Sequence, residues 1–248
     1  MALRFGGGTR AFALTELRVQ LHEGIAIATS MIVQVVLLIF VVILAPSLLS
    51  YALIGAVVYS VFQLGPRIQN EAAFIRIDHK LNELYHASSL TAEGYFLGLS
   101  IGVLLAYLPP VVILLVLVEV IVPLSLLSAA VLAGVIAAVW LFTSSLGYVI
   151  STLFRDMRAI WPYSSLLTNV FGVLPPVFYP IGFLPGYWHP IALAIPSSAA
   201  VILVEAAQGG LVHLAPAELL FAGTALSVEA IGLFAFALYW ARRTARES

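Results

Sequence analysis

The chain has 248 residues, of which 62% are hydrophobic and only 9% are charged, and its formal net charge is −1. Soluble domains contain about 25% charged residues, so a water-soluble globular protein is excluded. The near-zero net charge gives no reason to expect nucleic acid as a partner, and the absence of cysteine excludes disulfides, thiolate metal sites and cysteine nucleophiles.

The basic residues fall into short segments separated by long uncharged runs. No Asp, Glu, Lys or Arg occurs from 24 to 66, and only Glu119 interrupts the run from 94 to 154. This separation predicts membrane spans with the positive charge held on one side. The eleven basic residues are Arg4, Arg10 and Arg18; Arg67, Arg76 and Lys80; Arg155 and Arg158; and Arg242, Arg243 and Arg246.

Six apolar segments have the length of a bilayer span, which needs about 20 mostly apolar residues. With six spans and a cytoplasmic N-terminus, every basic segment lies in the cytoplasm, as the positive-inside rule requires. Five or seven spans would place Arg242, Arg243 and Arg246 on the opposite side. We therefore predict an all-α integral membrane protein, a single transmembrane domain over 1–248 with six transmembrane helices and both termini cytoplasmic. The spans are placed near 25–45, 48–66, 95–118, 124–151, 160–182 and 218–240.

Three local features refine this topology. Pro109 and Pro110 in the third span predict a kink, because neighbouring helices can satisfy the carbonyls that proline frees. Residues 1–24 are predicted to form an interfacial segment whose short helix carries a modest apolar stripe of Leu14, Leu17 and Leu21.

The third feature is the segment 183–217 on the outer side, which follows a proline-rich stretch. It contains a helix start at Pro196 and a stop at Gly209 and Gly210. About ten helical residues are too few to cross the bilayer, so we predict a re-entrant or interfacial outer helix. A helix lying on the outer surface is the alternative.

Three polar residues inside the predicted spans are candidates for a translocation path, namely Gln34, Asn169 and Glu229. The two amides can equally serve as hydrogen bonds between helices. An ionised side chain at mid-membrane costs at least about 2.5–3.5 kcal/mol, so Glu229 must face a cavity, find a partner or be protonated. A structural and a functional role both stay open for it. Glu119 and Glu205 are expected at the solvated outer boundary.

The loop of residues 67–94 between spans 2 and 3 contains a short predicted helix of mixed charge. Its apolar stripe consists of Ile77, Leu81, Leu84 and Tyr85. Thr91 is expected to cap the next helix, with Glu93 in its first turn. The mixed charge argues against a lipid-binding role. The helix therefore either packs on the spans or docks a cytoplasmic partner.

Two stretches carry a family resemblance. From Asn70 to Gly98 the chain reads N-E-x-x-x-x-R-x-D, then L-x-E-L-x-x-A-S-x-L, then Y-x-x-G; from Val177 to Pro185 it reads V-F-Y-P-I-x-F-L-P. Both are similar to ABC-2 type permeases, the membrane subunits of ABC exporters such as the daunorubicin-resistance group. One departure is Ser89, where the family often has proline.

The resemblance implies the permease subunit of an ATP-driven exporter in the plasma membrane. The mostly apolar path suggests a hydrophobic or amphipathic substrate, such as a drug or lipid, while polymers and ions stay open. The resemblance also implies a second permease copy and two separate P-loop ATPase subunits, which would hold ATP and Mg²⁺. This chain is expected to contain no catalytic residue, metal or cofactor of its own. Lys80, its only lysine, lies in no P-loop motif, so the chain is not expected to bind ATP by that route. The expected ATPase contacts, on a coupling helix, are Arg76, Asp78, Lys80, Leu81, Glu83, Leu84 and His86.

Other functions remain open from the residues alone. A secondary transporter or channel would use Glu229 as its ion or proton site and work without ATP, although no inverted repeat of broken helices favours it. A membrane subunit without a pore is a third possibility. The substrate and the choice between a homodimer and a heterodimer of permeases are left undetermined.

Overall fold

The structure is a computed structural model that describes residues 7–22, 24–77, 90–154 and 156–247. Over these ranges the chain forms helices and connecting turns, with no strand. The α-helices are α1 (Gly7–His22), α2 (Gly24–Ser30), α3 (Ile32–Leu44), α4 (Leu49–Phe62), α5 (Leu64–Ile77), α6 (Ala92–Ala106), α7 (Leu108–Ile121), α8 (Leu126–Ser151), α9 (Met157–Leu167), α10 (His189–Ala194), α11 (Pro196–Gln208) and α12 (Pro216–Glu247).

Several of these helices are long and apolar enough to cross a membrane. Four such runs occur among the described residues: Ile27–Leu44, Pro46–Ile77, Leu126–Ser151 and Pro216–Thr244. Two bent pairs, Ala92–Ala106 with Leu108–Ile121 and Gly186–Ala194 with Pro196–Gln208, raise the number to six if each pair is one span. The prediction of an all-α, multi-pass membrane protein is confirmed at this level.

Prolines determine where the structure follows the predicted spans and where it departs from them. The predicted kink in the third span is confirmed as a bend of 51° between α6 and α7. Pro109 and Pro110 lie in the first turn of α7, where an N–H is dispensable.

The predicted fifth span differs more. The helical run after Met157 passes from α9 into a π-helical turn, Thr168–Val173, and ends there rather than near 182. Pro175 and Pro176 follow after Leu174, and neither has a backbone N–H that could continue the helical hydrogen-bond pattern. The six candidate membrane spans of the structure therefore include the bent pair at 186–208. The helical run from 157 to 173, in the predicted fifth span, is not among them.

Glycines bring α5 and α8 into backbone contact at the centre of the bundle. A Cβ added to Gly65 would lie 2.0 Å from Oγ1 of Thr143, and one added to Gly147 would lie 2.1 Å from the carbonyl oxygen of Gly65. Small residues permit this kind of close approach between membrane helices. The hydroxyl of Thr143 donates a 2.7 Å hydrogen bond to the carbonyl of Phe62 across the crossing.

Helix α1 lies along α6, against a row of three glycines at 94, 98 and 102. The buried face of α1 is formed by Thr9, Ala13, Glu16 and Gln20, and Gln20 Nε2 donates to Glu16 Oε1 over 2.9 Å. Leu14 and Leu21 of the predicted stripe are 47% and 51% exposed. Leu17, the third member, is partly buried and packs against the core, so the stripe lies at the edge of the packed face, and its contact with a bilayer interface stays a prediction.

Candidate functional site

The helix ends that flank residues 78–89 are joined by a group of polar side chains. We call this group the basic-end cluster; it consists of Arg76, Glu93, Thr152, Trp240 and Arg242. It connects the last turn of α5, the start of α6, the end of α8 and the last part of α12. Four elements distant in sequence thus meet at one place.

Arg76 is the centre of this cluster. Its guanidinium donates to the backbone carbonyl oxygens of Ser151 at 2.5 Å and Thr152 at 3.3 Å, and also to that of Phe154. Ser151 is the last residue of α8, and the other two carbonyls come just after it. Carbonyls at the C-terminal end of a helix lack an intrahelical N–H partner, and the helix dipole favours a cation there. A side chain of α5 therefore caps α8.

Two further contacts complete the cluster. The indole Nε1 of Trp240 donates to Oγ1 of Thr152 over 2.8 Å, joining α12 to the same end of α8. Nε of Arg242 forms an ion pair with Oε1 of Glu93. The predicted cap at Thr91 is confirmed: its hydroxyl accepts from the backbone N–H of Gly94 at 3.0 Å.

The opposite end of the bundle is joined by different contacts. The side chain of Gln208 at the end of α11 accepts from the backbone N–H of Ser125 at 3.2 Å and donates to the carbonyl of Pro123 at 3.0 Å. Tyr51 near the start of α4 donates its hydroxyl to the carbonyl of Pro176 at 2.7 Å. The Pro175–Pro176 segment and the bent pair α10–α11 therefore lie at the end away from Arg76.

Most of the predicted ATPase contacts cannot be placed, because they lie outside the described residues. These are Asp78, Lys80, Leu81, Glu83, Leu84 and His86. Arg76 is described, and its guanidinium is occupied by the carbonyls at the end of α8 rather than pointing away from the bundle. For all seven residues, contact with an ATPase stays a prediction.

Gln34 is the one candidate of the translocation path that is fully buried. Its Nε2 donates to Oγ of Ser60 on α4 over 3.0 Å. The rest of the first span is almost entirely exposed on the protein surface, so this bond is a principal polar contact between α3 and the bundle. The arrangement matches the helix-joining role left open for this amide.

Asn169 and Glu229 occupy different environments. Asn169 has an exposed side chain, and its backbone carbonyl accepts from the N–H of Leu174 at 2.9 Å in the i to i+5 pattern of a π-helix. Glu229 lies midway along α12, where Oε2 is buried and has no hydrogen-bond partner among the described residues. Gln34, Asn169 and Glu229 thus sit on three separate elements, and no hydrogen bond in the described part joins them.

Glu205 was expected at a solvated boundary, and that expectation is wrong. Its side chain is 2% exposed, and Oε2 accepts from the backbone N–H of Leu211 at 3.2 Å. The chain turns back there through Gly209, whose φ of +69° suits glycine. The carboxylate satisfies a backbone donor in this turn, which explains why an acid is buried at the end of α11.

Comparison with protein-family models finds no match to this chain, and comparison with curated proteins finds none either. Its function must therefore be argued from its own residues and contacts.

Proposed function

We propose that this chain is the permease subunit of an ATP-driven exporter of the ABC-2 type. Two copies, or this chain and a close homologue, work with two separate P-loop ATPase subunits that bind ATP and Mg²⁺. The substrate is hydrophobic or amphipathic, and the complex resides in the plasma membrane. Both chain ends and residues 67–94 face the cytoplasm.

One observation carries this proposal. Arg76 belongs to the stretch that resembles the ABC-2 coupling loop, and its guanidinium is bonded to the end of α8. An arginine at the last carbonyls of a helix is an ordinary stabilising contact, but here it joins the helix that precedes the predicted docking loop to α8. This contact offers a route by which force from an ATPase can reach other helices.

The proposed mechanism follows from the basic-end cluster. Arg76 lies one residue before the end of α5, and Glu93 is the second residue of α6, so these two side chains flank the predicted docking loop on either side. Movement of this loop on ATPase closure is passed to α8 through Arg76 and to α12 through the Glu93–Arg242 ion pair. The close backbone approach of Gly65 and Gly147 packs α5 tightly against α8, so we expect the two helices to move together.

The test is co-purification with candidate ATPases, beginning with any P-loop ATPase that a neighbouring gene encodes. Glu83→Arg is expected to abolish ATPase binding and stimulation, because it reverses a charge on the predicted docking helix. Glu119→Arg is the matched control, since it makes the same charge reversal near the end of α7, outside the predicted docking loop 67–94. A Glu83→Arg variant that still binds and stimulates the ATPase would overturn the docking assignment.

Glu229 supports a second candidate function. A buried carboxylate oxygen without a partner among the described residues is what an ion or proton site in a secondary transporter requires. Purified protein in vesicles would then transport without ATP, and Glu229→Gln would stop it. Transport that depends strictly on the ATPase and survives Glu229→Gln would exclude this alternative.

A further inference from the structure

A cavity of about 420 Å³ lies at the end of the bundle away from Arg76. Its walls come from the π-helical turn after α9, the irregular segment that follows it, and α10 with the residues next to it. The lining includes Val170 and Leu174 from the first part of the stretch 170–195 and Trp188 and Ile191 from its last part. The volume falls within the range of about 300–1,000 Å³ typical of small-molecule sites.

The walls are held in place by contacts that do not involve a ligand. The carbonyl of Pro176 accepts from Tyr51, and Tyr179 donates its hydroxyl to the carbonyl of Leu174 at 2.7 Å. His189 contacts the carbonyl of Leu184 at 3.2 Å through Nε2. Together with three wall prolines of restricted φ, these contacts make a preformed cavity.

The chemistry of the lining selects an uncharged, apolar occupant. None of the residues that line the cavity is Asp, Glu, Lys, Arg or His, and the only side-chain hydroxyl, that of Tyr179, is already bonded to Leu174. A charged or strongly polar group entering it would lose its hydration without compensation. A hydrocarbon chain would lose nothing.

The position of the cavity points to the bilayer as the source of that chain. Phe183, Tyr187 and Trp188 beside it are 67%, 77% and 47% exposed. Exposed aromatic residues at the end of apolar helices are typical of the membrane–water interface. Leu174 on the rim is also exposed, so the entrance adjoins apolar surface.

We propose that this cavity binds one hydrocarbon chain of a bilayer phospholipid. The inference does not depend on the proposed ATPase partner, because it concerns the opposite end of the bundle. The bound chain lies against the π-helical turn Thr168–Val173 and α10, in a space whose walls are already held in place without it.

The test uses a phosphatidylcholine with a diazirine at the end of its acyl chain, incorporated into nanodiscs with the purified protein. Photolysis followed by peptide mapping is expected to place adducts within 170–195. Val170→Trp and Ile191→Trp each add an indole to the cavity wall and are expected to abolish these adducts. Val116→Trp on the exposed face of α7 is the matched control and is expected to retain them.

Two results would overturn the proposal. The first is an unchanged adduct pattern in folded Val170→Trp and Ile191→Trp proteins, with folding checked by thermal unfolding. The second is coverage by another copy of this chain. Because the chain has no cysteine, Leu174→Cys supplies a unique thiol; efficient disulfide formation between two copies, with no acyl-chain adducts, would assign the cavity to a protein interface.

Discussion

The guanidinium of Arg76 lies 2.5 Å from the carbonyl oxygen of Ser151, so that a residue at the end of α5 caps α8. Arg76→Gln removes the cation and most of the donors. We expect a loss of about 1.5–3 kcal/mol of stability, the range for hydrogen bonds to charged groups, and it is measured as a lower unfolding temperature in nanodiscs. Arg158→Gln, at an exposed arginine, is the control. Equal unfolding temperatures for the two variants would show that the cap is not needed.

The contact of Gly65 with Gly147 gives the sharpest packing prediction. In Gly147→Ala the new methyl would lie 2.1 Å from the carbonyl oxygen of Gly65, so α5 and α8 must separate. We expect destabilisation of about 1–3 kcal/mol, as for other overpacked cores.

Gly134 supplies a control on the same helix. A Cβ there meets nothing within 4 Å, so Gly134→Ala is expected to be neutral or to stabilise α8 by up to about 1 kcal/mol. Thermal unfolding of both variants in the same detergent measures the difference. Similar behaviour of the two alanine variants would contradict the close crossing.

The hydrogen bond between Gln34 and Ser60 is testable by a double-mutant cycle. Gln34→Ala, Ser60→Ala and the double variant should show a coupling energy of about 0.6 kcal/mol, the average for polar contacts between membrane helices. The measurement is the free energy of unfolding in detergent. A coupling of zero would mean that the first span is held to α4 by apolar contacts alone.

The Glu93–Arg242 ion pair predicts a charge-swap result. Its side chains are 21% and 39% exposed, so its contribution to stability should stay below about 1 kcal/mol. Glu93→Arg and Arg242→Glu are each expected to reduce ATPase-coupled transport, and the double swap is expected to restore part of it. A double swap no better than either single variant would remove this pair from the proposed coupling route.

Much of the fold was predictable because it depends on local sequence. Uncharged apolar runs, the kink at Pro109 and the cap at Thr91 all follow from residues close together in the chain. The length of the fifth helical run was not predicted correctly. Apolar composition continues to 182, but Pro175 and Pro176 lack the backbone N–H groups that the helical hydrogen-bond pattern needs. For Glu205, composition indicated a solvated acid, but the turn at Gly209 brings a backbone donor to it.

The sequence by itself determined that this is an all-helical, multi-pass membrane protein and which segments are polar, because the bilayer imposes length and apolarity on every span. It also singled out residues 70–98 by their resemblance to ABC-2 permeases. The tertiary structure decided what the polar groups do. Arg76 caps α8, Gln34 joins α3 to α4, and Tyr51 on α4 holds Pro176, which belongs to the wall of the apolar cavity. The two members of each of these contacts are far apart in the chain, and only helix packing brings them together.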